Sequence, residues 1–348
     1  MTMKLSLVEL ATVAPRGDKP QALQHAVNAA RQAEDLGYHR IWYAEHHDSA
    51  STASSAPEIL IALAARTTSR IRVGSGAVLL NHYSPYKVAE TFLQLEALAP
   101  GRIDLGLGRA TAGPVVDLAL RRDRDVPPAD DFAEQVQEVL AHFNSHFPAD
   151  HPFARLNPAA GLASRPEVWI LGSSGTSARM AGELGLGYAF AGFINPDGAP
   201  RALQRHGAFS APVANGSAGG LGILSVSAVV ADTDAEARRL NWSRTALMAR
   251  LARQGTAAQV PTVEEAEREL SQDQKDTLTV ITDGRWPRQL AGSPQTVRDQ
   301  LEQMTKGTGV EEVMVQDIIA DPEARSHSRA LLAQALDVTP AAPARSPS

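Results

Sequence analysis

The chain has 348 residues, 43% of them hydrophobic, with a formal net charge of −6 and no cysteine. That length suits one large barrel-type domain, and the apolar content excludes a mostly disordered chain. The lack of cysteine excludes disulfides, thiolate metal sites and cysteine nucleophiles, and the acidic balance offers no general attraction to nucleic acid or anionic membranes.

MTMKLSLVEL is too short and too soon polar for a signal peptide, and no apolar run approaches the roughly 18 residues of a membrane span, so a cytoplasmic protein is expected. In chain order, residues 4–10 read as a first strand. A helix over 21–36 follows, stopped by Gly37. Residues 40–44 (RIWYA) read as strand two, and Pro57 opens a helix continued by EILIALAAR. Strand three spans 71–80. The next helix starts at Pro85, carries Val88, Phe92, Leu95 and Leu98, and ends at Pro100-Gly101. Strand four spans 103–107, and Phe132, Val136, Val139 and Leu140 mark another helix.

The second half keeps the rhythm. Strand five (168–171) precedes a helix over 176–184, strand six spans 188–191 and strand seven 223–230. Thr233 and Glu236 read as a capping box for a long helix ending near Gly255. Ser293 caps and Pro294 opens the helix before strand eight, 312–315. Eight strands alternating with helices predict the α/β class, as a parallel (β/α)8 TIM barrel in preference to a doubly wound sheet. Residues 255–292, rich in Gln, Glu and Asp, show no strand and read as an insertion before the last strand, either a cover or a surface excursion. The expected domain is 1–337, and 338–348, ending in TPAAPARSPS, reads as a disordered tail.

Barrel chemistry sits where strands end and βα loops begin. After strand five, Gly172-Ser173-Ser174-Gly175 leads into a helix, which offers free amides and hydroxyls to a phosphate. The same residues also suit a capped helix with a tight turn. Strand two ends in Glu45-His46-His47. Side chains alternate along an extended segment, so at most one of the two histidines faces the mouth. If Ile41 and Tyr43 face the helices, then Trp42, Ala44 and His46 face the axis. A histidine there suits proton transfer near neutrality; the alternative is one structural and one surface histidine. A metal would need more ligands, and only His82 offers itself, without any known zinc spacing. Arg109 follows a glycine-rich strand and either pairs with a bound anion or forms a salt bridge with Asp104 or Asp117.

RIWYAEHH, IRVGSGAVLLNHYSPYKVAETFLQLEALAPGRIDLGLGRA, PEVWILGSSGTSARMAGELGLGYAFAGFINP and GSPQTVRDQLEQM together resemble the bacterial-luciferase-like flavin-dependent monooxygenases, in their non-luminescent oxidoreductase branch. The resemblance runs from about residue 4 to 336 and is weakest over 110–165 and 195–290. It implies a non-prolyl cis peptide at Gly76-Ala77 beneath a flavin ring and Arg109 beside that ring. It implies a phosphate-binding turn at the end of strand five, Leu171 and Gly172, with Ser173, Ser174 and Ser177. It makes His46 the catalytic histidine and Glu45 its neighbouring acid. Two departures stand out: Gly108 occupies the place of a reactive cysteine in luminescent members, and a phosphate-holding arginine has no match near Asp131-Phe132.

The function so implied is an FMN-dependent monooxygenase. A separate flavin reductase supplies reduced FMN, oxygen adds to give a C4a-peroxyflavin, and a small organic substrate is oxygenated. An F420-dependent oxidoreductase of the same fold and a non-catalytic flavin-binding protein are the alternatives; a metal hydrolase on the same barrel lacks its ligand spacing. A homodimer is also expected. The family's barrels pair through helices flanking strands two and three, and helix 57–66 is apolar nearly all round.

Overall fold

A computed structural model describes residues 3–126, 129–209 and 221–340. Its strands are β1 (Lys4–Glu9), β2 (Arg40–Tyr43), β3 (Arg72–Ser75), β4 (Val78–Leu79), β5 (Ile103–Gly108), β6 (Glu167–Gly172), β7 (Gly187–Ala191), β8 (Gly222–Val230), β9 (Leu290–Gly292) and β10 (Glu312–Gln316). Parallel pairing runs β10-β1-β2-β3-β5-β6-β7-β8 and closes through β8–β10. This is the eight-stranded (β/α)8 barrel, with helices around it.

Alternation along each strand sorts the side chains. Leu5, Leu7, Ile41, Tyr43, Val73, Leu105 and Leu107 join the outer core beneath the helices. Trp42, Ala44, Trp169, Ala189, Ile223 and Met314 fill the barrel itself. The floor is ionic. Arg40 donates to Glu312 and Asp104 at 2.7 Å each, Arg72 reaches Asp104 and Glu167, and Trp42 Nε1 donates to Asp104 at 2.8 Å. The two guanidiniums hold the buried Asp104 carboxyl below its ordinary pKa, against the desolvation that would raise it. Above the floor, Trp42 and Trp169 meet edge to face, 5.5 Å between centroids. Their bulk explains one glycine: a Cβ on Gly187 would lie 2.5 Å from the Trp169 ring. Higher still the inward residues are small, Ala44, Gly76, Gly108 and Ala189, so the barrel opens into a mouth at the C-terminal ends of the strands.

Several elements differ from the sequence reading. Strand three is two pieces, because the chain breaks its pairing at Gly76-Ala77 before β4 pairs with β5. Residues 255–292 do contain a strand, the three-residue β9, which extends β8 in parallel at Ala228–Val230. Too short to show a period, it was invisible to alternation. The rest of that segment is a cover. Ala258 and Val260 join the inner cluster, and Ala50 N donates to Thr256 O at 2.8 Å, tying it to the loop after β2. Thr233 caps Glu236 N, but the reciprocal Glu236 bond of a capping box is not formed. Helices Pro114–Leu120 and Ala199–Phe209 were not anticipated. Of the segment read as a tail, Val338 packs against the outer core and Thr339 lies over Gly37; 341–348 fall outside the described residues.

Candidate active site

The loop after β2 is pinned before it reaches the mouth. Ser54 Oγ donates to Ala44 O at 2.6 Å, and His46 N donates to Ser54 O at 2.8 Å. Alternation continues through it and parts the three polar side chains. Glu45 is buried: its carboxylate sits 2.7 Å from His47 Nε2 and accepts from Tyr83 OH (2.8 Å) and Leu79 N (3.0 Å). Burial, then the adjacent Glu45 charge, pushes the Tyr83 phenol well above its ordinary pKa, so it stays a donor. Glu45 thus anchors β4 and His47 and faces away from His46.

The His46 imidazole makes no hydrogen bond among the described residues. It is solvent-exposed in the open mouth, yet protein atoms crowd it. That desolvation, helped by His47 and opposed by Glu45, lowers its pKa below the ordinary 6.5, so the ring is neutral near pH 7. His82 Nε2 lies 3.4 Å from Asp117 without a hydrogen bond. No group of three or more potential metal ligands occurs among the described residues.

Beside this histidine loop the Gly76–Ala77 peptide is cis. A Cβ on Gly76 would lie 3.0 Å from Trp42 Cβ, and one on Gly108 would lie 3.1 Å from Ala77 Cβ. Small residues therefore let this wall pack closely, with little side chain over the backbone. Arg109, 65% exposed, stands at the rim. Its ion-pair partner is Asp130 at 3.0 Å, not Asp104, which belongs to the floor, nor Asp117, which accepts from Ala112 N.

The turn after β6 is built as a cradle. Ser174 caps helix Gly175–Glu183, accepting from Ser177 N. The amides of Gly175 and Thr176 come first in that helix and have no intrahelical acceptor. Ser177 braces the turn from behind, donating to Ser174 O and lying 3.0 Å from Tyr188 Oη. Burial raises the Tyr188 phenol to about 12, so it remains a donor to Ser174 O. Asn195 Nδ2 holds Ser173 O at 2.9 Å. Ser173, Gly175 and Asn195 line a cavity of about 390 Å³ whose far wall carries Arg201 and Arg205. A Cβ on Gly175 would lie 3.1 Å from Arg205 Nη1. Tyr83, Tyr188, Asn195, Arg201 and Arg205 were missed by sequence reasoning. The two arginines, four apart on one helix, carry no local signal that separates them from a solvated face. A second cavity, about 300 Å³, lies at the opposite end of the barrel near Lys4, Gly37 and His39, away from the strand ends that bear chemistry in such barrels.

The family model described as Luciferase-like monooxygenase matches residues 3–312. The chain is 39% identical over 333 residues to the uncharacterized protein YceB of Bacillus subtilis, covering 95% of this chain and 98% of that one. It is 33% identical over 327 residues to a luciferase-like monooxygenase of Escherichia coli K12 (94% and 95% covered), and 41% identical over 193 residues to the N-acetyl-S-alkylcysteine monooxygenase of B. subtilis (56% and 58%). Among solved structures, apo-MsnO8 superposes with a TM-score of 0.87 at 39% identity, covering 97% of this chain and all of that one. The oxygenating constituent of 3,6-diketocamphane monooxygenase from Pseudomonas putida, in complex with FMN, has a TM-score of 0.68 at 21% identity (97% and 98%). An F420-dependent secondary alcohol dehydrogenase has a TM-score of 0.59 at 16% (97% and 99%). Both of the last two share the fold.

Proposed function

The chain belongs to the luciferase-like monooxygenase family, and from that premise we propose that it is a cytoplasmic FMN-dependent monooxygenase acting on a small organic substrate. The observation that carries this reading is the phosphate cradle after β6. It combines Ser173, a helix start with free amides at Gly175, and the cations of Arg201 and Arg205 around one cavity, with Ser174 capping that helix beside it. The donor set suits a phosphate dianion, and the arginines supply charge that the stretch near Asp131-Phe132 lacks. The small residues Gly76, Ala77 and Gly108 suit a flat ring approaching the backbone, with Leu171 and Gly172 between them and the turn and Arg109 at the rim.

When bound, reduced FMN supplies two electrons and activates oxygen, so that one oxygen atom enters the substrate and the other leaves as water. The chain's own residues bind, orient and exclude water. Ser173, Ser174 and the α-helical amides fix the phosphate end. His46, neutral near pH 7 and free of protein partners, takes and returns the proton that water formation requires. Glu45 acts through position, holding β4 and His47. The segment with Ala258 and Val260 limits water in the mouth. A separate flavin reductase delivers the reduced cofactor. The unit in solution is a homodimer, since helix Pro57–Thr67 buries Leu60 and Ile61 but leaves Ile59 and Leu63 61% and 47% exposed.

Reduced F420 is the second reading, supported by shared fold alone. Anaerobic titrations of the protein with reduced FMN and reduced F420 test the choice. Tighter binding of FMN supports the proposal, and preferential binding of F420 refutes it.

A further inference from the structure

Helix Asp234–Gln254 crosses the mouth on the face formed by Ala237, Asn241, Arg244, Leu247 and Leu251. Ala237 packs with Val229 and Ile319 at the strand ends, while Leu247 and Leu251 enter the inner cluster with Trp42 and Ala44. Arg244 lies between these two contacts and is 7% exposed. Its Nη1 donates to Gln289 Oε1, which is neutral. The Nε–Nη2 edge has no acceptor among the described residues, and Nε is fully buried. Among the described residues no carboxylate lies within ion-pairing distance; the nearby charge that acts on it is another cation, Arg288, whose Nη1 is committed to Ile194 O at 2.7 Å. Two further buried atoms lack partners, Asn241 Oδ1 one turn earlier on the helix and Ser227 Oγ on the inward face of β8, the strand that pairs with β9 just after Gln289.

A buried guanidinium without a counter-ion destabilises a fold unless a ligand neutralises it. Of the other buried arginines among the described residues, Arg40 faces Asp104 and Glu312 and Arg329 faces Glu9 and Asp317, while Arg325 makes no ion pair but lies in the field of the Glu9 and Asp317 carboxylates. We propose that Arg244 is the substrate anchor of this enzyme and that it takes a carboxylate of the small molecule to be oxygenated. The free Nε–Nη2 edge presents two parallel donors, the spacing that a planar carboxylate accepts in a bidentate pair. Burial, then Arg288, depresses the Arg244 pKa to about 10, which still leaves it charged at neutral pH and in need of an anion. The inference rests on the monooxygenase reading for the fate of the ligand, but not for its binding.

The probes are N-acetyl-S-methylcysteine, a thioether acid of the class named for one relative, and its primary amide, which is isosteric and neutral. Calorimetry on the full-length protein should show the acid binding at least tenfold more tightly than the amide, and Arg244→Met should lose that preference while Arg244→Lys keeps part of it. FMN binding, followed by flavin fluorescence on the same samples, should be unchanged in both variants. Without ligand, Arg244→Met should melt at or above the wild-type temperature, because it removes an uncompensated buried charge. The assignment is overturned if acid and amide bind alike, if neither binds, or if Arg244→Met melts well below wild type and so reveals a structural role. Loss of FMN binding by the wild-type protein would count against the monooxygenase reading and leave the Arg244 test standing.

Discussion

Ser174→Asp separates the cradle's two roles. Aspartate is as good a helix N-cap as serine and adds a favourable charge at the positive helix end, so the cap bond to Ser177 N and the fold should survive. A cofactor phosphate in the cavity would instead meet a like charge. Two unit charges about 4.5 Å apart in an effective dielectric of about 20 repel by roughly 4 kcal/mol. Ser174 is exposed and salt screens the pair, so about 2–4 kcal/mol of binding should be lost. That corresponds to a Kd for FMN weaker by roughly 30- to 1,000-fold. Quenching of flavin fluorescence measures the affinity, and a melting curve without FMN checks the fold. A Kd within threefold of wild type, in a variant that melts normally, would refute the assignment of this turn to the phosphate.

Arg205→Ala removes one cation from the far wall and should weaken FMN binding by roughly 5- to 30-fold, less at high salt, the usual worth of a partly screened charge-assisted bond. His46→Ala should lower turnover by about 10²–10⁴-fold with the FMN Kd nearly unchanged, as read by product formation in steady state. Because the pKa of His46 is lowered, kcat/KM should hold level from neutral pH to below 6.5 and then fall, and His46→Ala should lack that fall. The linked stability has the same sense: the unfolded histidine binds its proton more readily, so the folded state loses stability as pH drops through the window below 6.5. Glu45→Gln leaves three donors facing a weaker acceptor and should cost about 1–3 kcal/mol of stability, seen as a lowered Tm. Ile59→Glu should convert a dimer of twice the 37.0 kDa chain into monomers in sedimentation, without loss of fold; a wild-type monomer at micromolar concentration would refute the interface.

The barrel was legible because its strands repeat one signal, an alternation that sends Ile41 and Tyr43 outward and Trp42 and Ala44 inward. That same alternation separates His46 from Glu45 and His47. Gly172 and Gly175 were legible as a turn before a helix, but Gly187 is a packing glycine that only the Trp169 ring explains. Arg109's partner could not be read, since Asp130 lies twenty-one residues away through an irregular stretch. Neither could Arg205 or Arg244. On a helix, an arginine that lines a cavity and one that meets water look alike, and only the packing of Leu247 into the barrel shows which way Arg244 faces. For a related reason the sequence left 255–292 open between a cover and a surface excursion: two residues, Ala258 and Val260, do the plugging, and two residues have no period.

The reaction itself is tested by one turnover of the protein loaded with prereduced FMN, given N-acetyl-S-methylcysteine under oxygen-18 gas and analysed by mass spectrometry. The expected product is the sulfoxide carrying one oxygen-18 atom, formed with reduced FMN and not with reduced F420. A sulfoxide whose oxygen comes from water, or turnover by hydride transfer from F420 with no use of oxygen, would contradict a flavin monooxygenase.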